Sequence, residues 1–463
     1  MITRIEIDGF KTFRNLALDL APFQAIVGAG GVGKSNLFDA VGLLADLAEG
    51  DLRAAFQEAR GEPAELFAIL PDGSRAGTMR LAVEMLVEPD VVDDWGTQVD
   101  IRYTRMRYEV AIAREPGERR PDRLRVVHEA LLPVQRSSDP WARRYIRGGR
   151  DIWLPALRTG RTVPFISTSS MNGLATVYLH QDGHGGDMAT AAQGGERTVL
   201  STISNTEFPH AFAAREEMRG WRRMELEPQA VAGGGESLSH SFIGADGGNL
   251  AAALLRMKGE DPEVLQRIAA DLACVAPGVT AVEVDERGPW GEPSVTIITR
   301  KHGRHSLRLL GSGALRLLAF SALKNDPDAG GVLALEEPEH GFDVFALGTA
   351  APLLLSMSTD LDGEERGRLR QVIAVTRSID IIRRFAAELV ARNDGLAARL
   401  PELLFAYRAA GDAPESASVV TCFASVTPSA QLALGFDQEG EELVHTLAEV
   451  EQALESPPVP DLV

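Results

Sequence analysis

Apolar and polar residues alternate from the first residues of the chain. In "ITRIEID" Ile5 and Ile7 share one face while Glu6 and Asp8 share the other, the period of a half-buried strand. Gly9 marks a turn, and Phe10 and Phe13 are expected to anchor it in a core. "LALDL" alternates again, with Leu16, Leu18 and Leu20 on one face. Pro22 breaks that pattern, and the short apolar run "QAIVG" predicts a buried strand. After a glycine-rich loop, Leu37, Val41 and Leu44 recur at helical spacing. Further strand-like runs follow: "MRLAVEMLV", "VDIRYTRMRYEVAIA", "LRVVHEALL" and "TVYLHQDG". The first three of these suggest an antiparallel sheet. "AGGGES", residues 232–237, reads as a flexible connection. "GGNLAAALLRM" and "PEVLQRIAADLACV" read as amphipathic helices, and strands are expected near 281–286 and 294–299. The last stretch, "DQEGEELVHTLAEVEQALESPPVPDLV", reads as acidic, with one helix and a Pro-rich end. The pattern contains neither an internal repeat nor a long heptad tract.

The loop between the buried strand and its helix carries the first chemistry. Gly28-Ala29-Gly30-Gly31-Val32-Gly33-Lys34-Ser35 fits G-x-x-x-x-G-K-[ST], the phosphate-binding loop. Its glycines let the backbone curl so that successive N–H groups face phosphate oxygens. Lys34 brings a positive charge to the β and γ phosphates, and the Ser35 hydroxyl suits Mg²⁺. The helix that follows turns its positive end toward the nucleotide. Far downstream, "GGVLALEEPEHGFD" (330–343) reads as a buried strand through Val332, Leu333 and Leu335, ending in Glu336 and Glu337. Open α/β sheets place ligands at such strand tips. Phosphoryl transfer needs a carboxylate in the Mg²⁺ shell and a group that orients the attacking water.

"ITRIEIDGFKTF", a hairpin, and then "FQAIVGAGGVGKSNLFDAV" closely resemble the N-terminus of the SMC/RecF/OLD branch of ABC-type ATPases. The "GFK" after the first strand and "GKSN" with a following Asp carry the resemblance, which adds Asn36 to the loop residues. It implies that Glu336 serves the metal and Glu337 the water. "RLLGSGALRLLAFSAL" (308–323) resembles the family's signature, which caps the γ-phosphate from a second subunit; Gly313 and Arg316 align, and Ser312 lies one place after the usual serine position, here Gly311. Ser312 either substitutes for that serine or opens an ordinary capped helix. "QVIAVTRSIDII" (371–382) matches the strand that ends in the family's switch histidine, but Arg377 stands in its place. Arg377 either contacts the γ-phosphate, with five donors and no capacity to shuttle a proton near neutral pH, or is a solvent-facing structural residue. Gly30 stands where the family usually has Asn. Gln181 is the candidate for the glutamine that senses Mg²⁺ in ABC proteins.

Composition narrows the classes. The chain has 463 residues, 44% hydrophobic and 24% charged, as a globular protein has. No apolar run is long enough to span a membrane, and no signal peptide opens the sequence. Cys274 and Cys422 are the only cysteines, too few and too far apart for a disulfide scaffold or a zinc site, which suits the cytoplasm. The net charge is -19, so the molecule as a whole repels nucleic acid. Within it, residues 101–161 hold fifteen Arg against seven Asp and Glu. With Tyr and Trp interleaved, this island suits nucleic acid, an acidic protein partner, or a plain solvated surface.

The expected fold is α/β: a two-lobed ABC-type P-loop NTPase head, with a central mixed sheet flanked by helices and an antiparallel β lobe. The expected divisions are 1–230 (phosphate loop, antiparallel sheet, Arg-rich insert), 238–410 (signature, paired glutamates, switch strand) and 411–463 (acidic segment). The long coiled-coil arm is expected to be missing or cut to a short helical insert, and the nuclease domain is expected to be missing. The resemblance implies a cytoplasmic, Mg²⁺-dependent ATPase that forms a homodimer on ATP and acts on DNA, through 102–161, in repair or defence against foreign DNA. The alternative is a nucleotide-sensing module with little turnover that controls a separate effector protein. A transporter ATPase, a kinase and a GTPase are disfavoured: the paired glutamates and the signature have no use in the last two, and no N-K-x-D motif is evident.

Overall fold

The structure, a computed structural model, describes residues 1–117, 122–155, 161–171, 174–180, 188–191, 195–233, 242–286, 292–363, 367–392, 400–410, 419–427 and 444–455. Two large sheets organise them. In the first, eight antiparallel strands run in the spatial order Met188–Ala191, Leu174–Leu179, Ile166–Met171, Arg123–Pro133, Arg105–Glu115, Thr78–Leu86, Ile2–Asp8 and Leu16–Asp19. The alternation at the start of the chain sets the facing of its strand: Ile5 and Ile7 are buried while Glu6 and Asp8 are half-buried.

The second sheet is mixed. Its order is Arg222–Met224, Gly331–Glu336, Arg370–Thr376, Phe23–Val27, Leu400–Ala410, Val419–Thr427 and Val444–Thr446. The first five strands are mutually parallel, and the next pairing, between Leu400–Ala410 and Val419–Thr427, is antiparallel. Phe23–Val27 is buried at every position, Gln24 included, because packed layers cover both faces of the sheet. Ile26, Val332 and Val375 face a core shared with helix Lys34–Glu49, helix Pro209–Arg219 and the antiparallel sheet. Ala25, Val27, Leu333 and Leu335 face a second core, filled by helices Leu250–Glu260, Val264–Ala273, Ser312–Asn325, Val344–Ser356 and Ile379–Arg392. This is the expected α/β architecture, a central mixed sheet flanked by helices with an antiparallel β sheet packed beside it.

Gln371 ties the two sheets together. Its Oε1 accepts from Ile2 N at 2.8 Å, and its Nε2 donates to Ile2 O at 2.7 Å and Ala21 O at 2.8 Å. The buried amide is thus satisfied by backbone on the first strand and just before the loop strand.

Segment 411–463 carries more structure than its acidic composition suggested. Val419–Thr427 and Val444–Thr446 extend the central sheet before helix Leu447–Glu455. Most of the glycine connection at 232–237 lies outside the described residues, as does Gln181.

Candidate nucleotide site

Three parallel strands, Phe23–Val27, Gly331–Glu336 and Arg370–Thr376, end on the same edge of the central sheet. The glycine loop, the paired glutamates and Arg377 therefore leave the sheet side by side, where open α/β sheets bind ligands.

The loop curls through positive φ at Gly31 (+76°) and Gly33 (+101°). Gly33, having no side chain, caps helix Lys34–Glu49 in the left-handed conformation without a side-chain bond to its first turn. A side chain at Gly28 would collide with Ala406 O, and one at Gly33 with Thr421 Oγ1. Gly33→Ala is expected to destabilise the chain by about 1–3 kcal/mol, from the left-handed backbone together with that clash. Chemical denaturation of the two proteins measures it.

Lys34 is buried, and its Nζ donates to Gly28 O at 2.7 Å and Ala29 O at 2.8 Å. Burial, and then the nearby Arg377 cation, hold its ammonium down to a pKa of about 8 against the opposing pull of Glu337, Glu336 and Glu339. The Ser35 hydroxyl donates to Glu336 Oε1. The other oxygen of Glu336 accepts from Arg223 at 2.7 Å. Glu337 occupies the left-handed region at φ 45°, unusual for a residue with a side chain. Three contacts hold it there: its N–H donates to Val375 O at 2.8 Å, and its carbonyl accepts from His340 N–H at 2.9 Å and from Arg316 at 3.4 Å. Its carboxylate accepts from Arg377 Nε at 2.5 Å, which holds its pKa below the usual range. Asn36 does not face the cradle alone; its Nδ2 donates to Thr12 Oγ1 at 2.9 Å. Of the remaining loop glycines, Gly30 and Gly31 are exposed.

Ser312 is exposed at the first turn of helix Ser312–Asn325. Gly313 is buried against the turn after the glutamates, where a side chain would collide with Gly341 O. Within one chain, Gly313 thus packs the signature helix onto the "EHGF" turn, and Arg316 reaches Glu337.

Several residues of the site had no sequence motif to announce them. Arg223, on the short strand beside the glutamates, bridges Glu336 and the buried Asp39, which also accepts from Lys11 at 2.6 Å and Arg60 at 2.8 Å. Arg408 donates to Gly31 O at 2.5 Å, and Thr421 donates to Val32 O at 2.7 Å. Both residues lie more than 370 positions along the chain from the loop carbonyls they meet. Glu339 accepts from Thr376 Oγ1, its other oxygen has no hydrogen-bond partner among the described residues, and burial raises its pKa. The "EEPE" spelling offered a signal for Glu339; the others had none.

The donor set suits Mg²⁺. Ser35 and Glu336 present two hard oxygens in mutual contact, and Mg²⁺ takes its remaining ligands from phosphate and water. Among the described residues no group of three or more His, Cys, Asp and Glu side chains is placed to hold a metal alone.

Part of the Arg island is occupied with acids. Arg105 is buried and pairs with Asp139 at 2.8 Å; Arg107 pairs with Glu6 and Glu109, Arg114 with Asp122, and Arg125 with Glu115. Arg143, Arg144, Arg147 and Arg150 remain exposed on and between two short helices, Pro140–Tyr145 and Arg150–Trp153. Arg119, Arg120 and Arg158 lie outside the described residues. No helix among the described residues is long and apolar enough to cross a membrane.

No protein-family model matches the chain, and no curated protein matches it. Among solved structures it is similar to an SmcHead bound to the C-winged helix domain of ScpA, at 14% identity over 94% of this chain and 99% of that one, with a TM-score of 0.48. It is also similar to a Smc head domain with an extended coiled coil bound to the C-terminal domain of ScpA derived from Pyrococcus furiosus (12% identity, 92% and 96% covered, TM-score 0.42). A third similar structure is the SMC head domain from Thermotoga maritima, at 12% identity over 92% of this chain and 98% of that one, with a TM-score of 0.36.

Proposed function

We propose that the chain is a Mg²⁺-dependent ATPase of the SMC/RecF/OLD type that closes as a homodimer on ATP and acts on DNA in repair or defence. One observation carries the reading: Ser35 of the phosphate loop touches Glu336 across some three hundred residues of sequence, with Lys34 and Glu337 beside them. Lys34 takes the β and γ phosphates in place of its two loop carbonyls. Ser35 and Glu336 hold the ion, which when bound neutralises phosphate charge. Glu337, set by its left-handed backbone, orients the attacking water. Leu309, Val344 and Phe345 are exposed around the signature helix and the "EHGF" turn, with Phe345 90% accessible; this apolar surface suits cover by the second copy, whose Ser312 caps the γ-phosphate. Residues 1–230 and 238–410 serve as the two working lobes, and Arg408 together with Thr421 of 411–463 braces the loop. The exposed arginines of 143–150 are the part of the 102–161 island suited to DNA phosphates.

ATP turnover measured with and without duplex and single-stranded DNA, at two salt concentrations, tests this. DNA-stimulated turnover that weakens with salt is expected; ATP binding with no turnover under any condition overturns the enzymatic reading. That outcome selects the second reading, a nucleotide-sensing module that controls an effector protein, which the pairing of Glu337 with Arg377 favours.

A pH dependence follows from Lys34. Its free-state pKa is lowered to about 8, whereas bound phosphate favours the ammonium, so binding above that pH must take up a proton. The ATP dissociation constant is expected to be flat below pH 8 and to rise by up to about tenfold per pH unit above it. Titrations between pH 7 and 9.5 check this, and Lys34→Arg should remove the break.

A further inference from the structure

Two positions at which the chain departs from the pattern it resembles, Gly30 and Arg377, meet in space. The Arg377 side chain leaves the end of strand Arg370–Thr376 and lies over the crest of the phosphate loop. A Cβ built on Gly30 would stand 3.6 Å from Arg377 Nη1 and 3.9 Å from its Cδ. That is ordinary contact for a methyl, but any longer side chain at position 30 would enter the space of the guanidinium. From the same seat, Arg377 Nε donates to Glu337 Oε1. Arg377 also stands close enough to Lys34 to oppose its charge. Two cations thus share one small site, and Glu337 is the counter-ion that Arg377 holds.

We propose that Arg377 is a positioning residue exchanged between Glu337 and the terminal phosphate, with Gly30 as the gap through which it moves. Without a triphosphate, Arg377 occupies the carboxylate that the water needs. A γ-phosphate over Gly30 offers the guanidinium more negative charge and a better-matched fork than one carboxylate, and so draws it off and frees Glu337. A diphosphate ends short of Arg377 and leaves the pair closed. The Arg377 side chain is 60% exposed and that of Glu337 31%, and ion pairs this open hold weakly, as an exchangeable contact requires. The inference rests on the ATPase reading for its consequence, but the exchange itself is a binding event.

The test uses the full chain with Arg377→Ala, Arg377→Lys and Gly30→Asn, reading ATP and ADP affinity separately from turnover. Arg377→Ala is expected to cut the preference for ATP over ADP about tenfold, the size of one strong charge-assisted contact. Gly30→Asn, which fills the seat, should cut it similarly, and Arg377→Lys should restore part of it. An unchanged ATP-to-ADP ratio in both Arg377→Ala and Gly30→Asn, with melting temperatures intact, overturns the proposal while leaving the ATPase reading standing. Wild-type protein that binds ATP without turnover overturns that reading alone, since the ratio still decides the exchange.

Discussion

Replacing Glu337 by Gln is expected to lower ATP turnover by about 10²–10⁴-fold, the usual size of a positioned general base, while ATP binding stays within a few-fold of wild type. The argument is geometric. The Glu337 carboxylate meets Arg377, and its main chain is fixed by Val375, His340 and Arg316. A Gln of the same shape keeps those main-chain contacts and the left-handed backbone but cannot accept a proton from water. The nucleotide should therefore remain unhydrolysed, and the bound form should accumulate as a dimer. Single-turnover hydrolysis and solution mass with ATP measure the two parts. Turnover within threefold of wild type would remove Glu337 from the chemistry, and a variant that stays monomeric with ATP would remove the dimer.

Lys34→Ala is expected to weaken ATP binding by about 100-fold, roughly 3 kcal/mol, as befits the loss of a charged donor to phosphate. Folding should tolerate the change better than binding, because Lys34 serves only two carbonyls of its own loop in the free chain. The readout is the rise in melting temperature on adding ATP, which follows ligand occupancy of the native state. That rise should vanish in the variant at ATP concentrations that shift the wild type by several degrees. An unchanged shift would show that nucleotide binds somewhere other than the glycine cradle.

The parts of the molecule written in local pattern were legible. The first strand, the phosphate loop and its helix, the carboxylate strand and the strand leading to Arg377 each carry periodicity or fixed spacing that the structure repeats. What could not be read depends on distant pairing. "LPELLFAYRAA" contains Leu, Ala and Glu that suit a helix, yet it forms strand Leu400–Ala410 because the open edge of Phe23–Val27 needs a partner. The same holds within the site. Lys34, Ser35, Glu336 and Glu337 stand in motifs, whereas Arg223, Asp39, Arg408 and Thr421 work through contacts between segments with no shared spacing. The Arg island was legible as charge but not as availability: a count of arginines does not reveal that Arg105, Arg107, Arg114 and Arg125 have acids facing them across the sheet or loop.

The bracing of the loop by Arg408 and Thr421 also bears on the order in which the protein matures. Phe23–Val27 emerges early in synthesis, but its two sheet neighbours begin at residues 370 and 400. Until those are made, the strand is a bare apolar edge of the kind that invites misassociation. Pairings across so many residues are slow to close. A prematurely ended product that lacks the paired strands Leu400–Ala410 and Val419–Thr427 should therefore be sticky and blind to nucleotide.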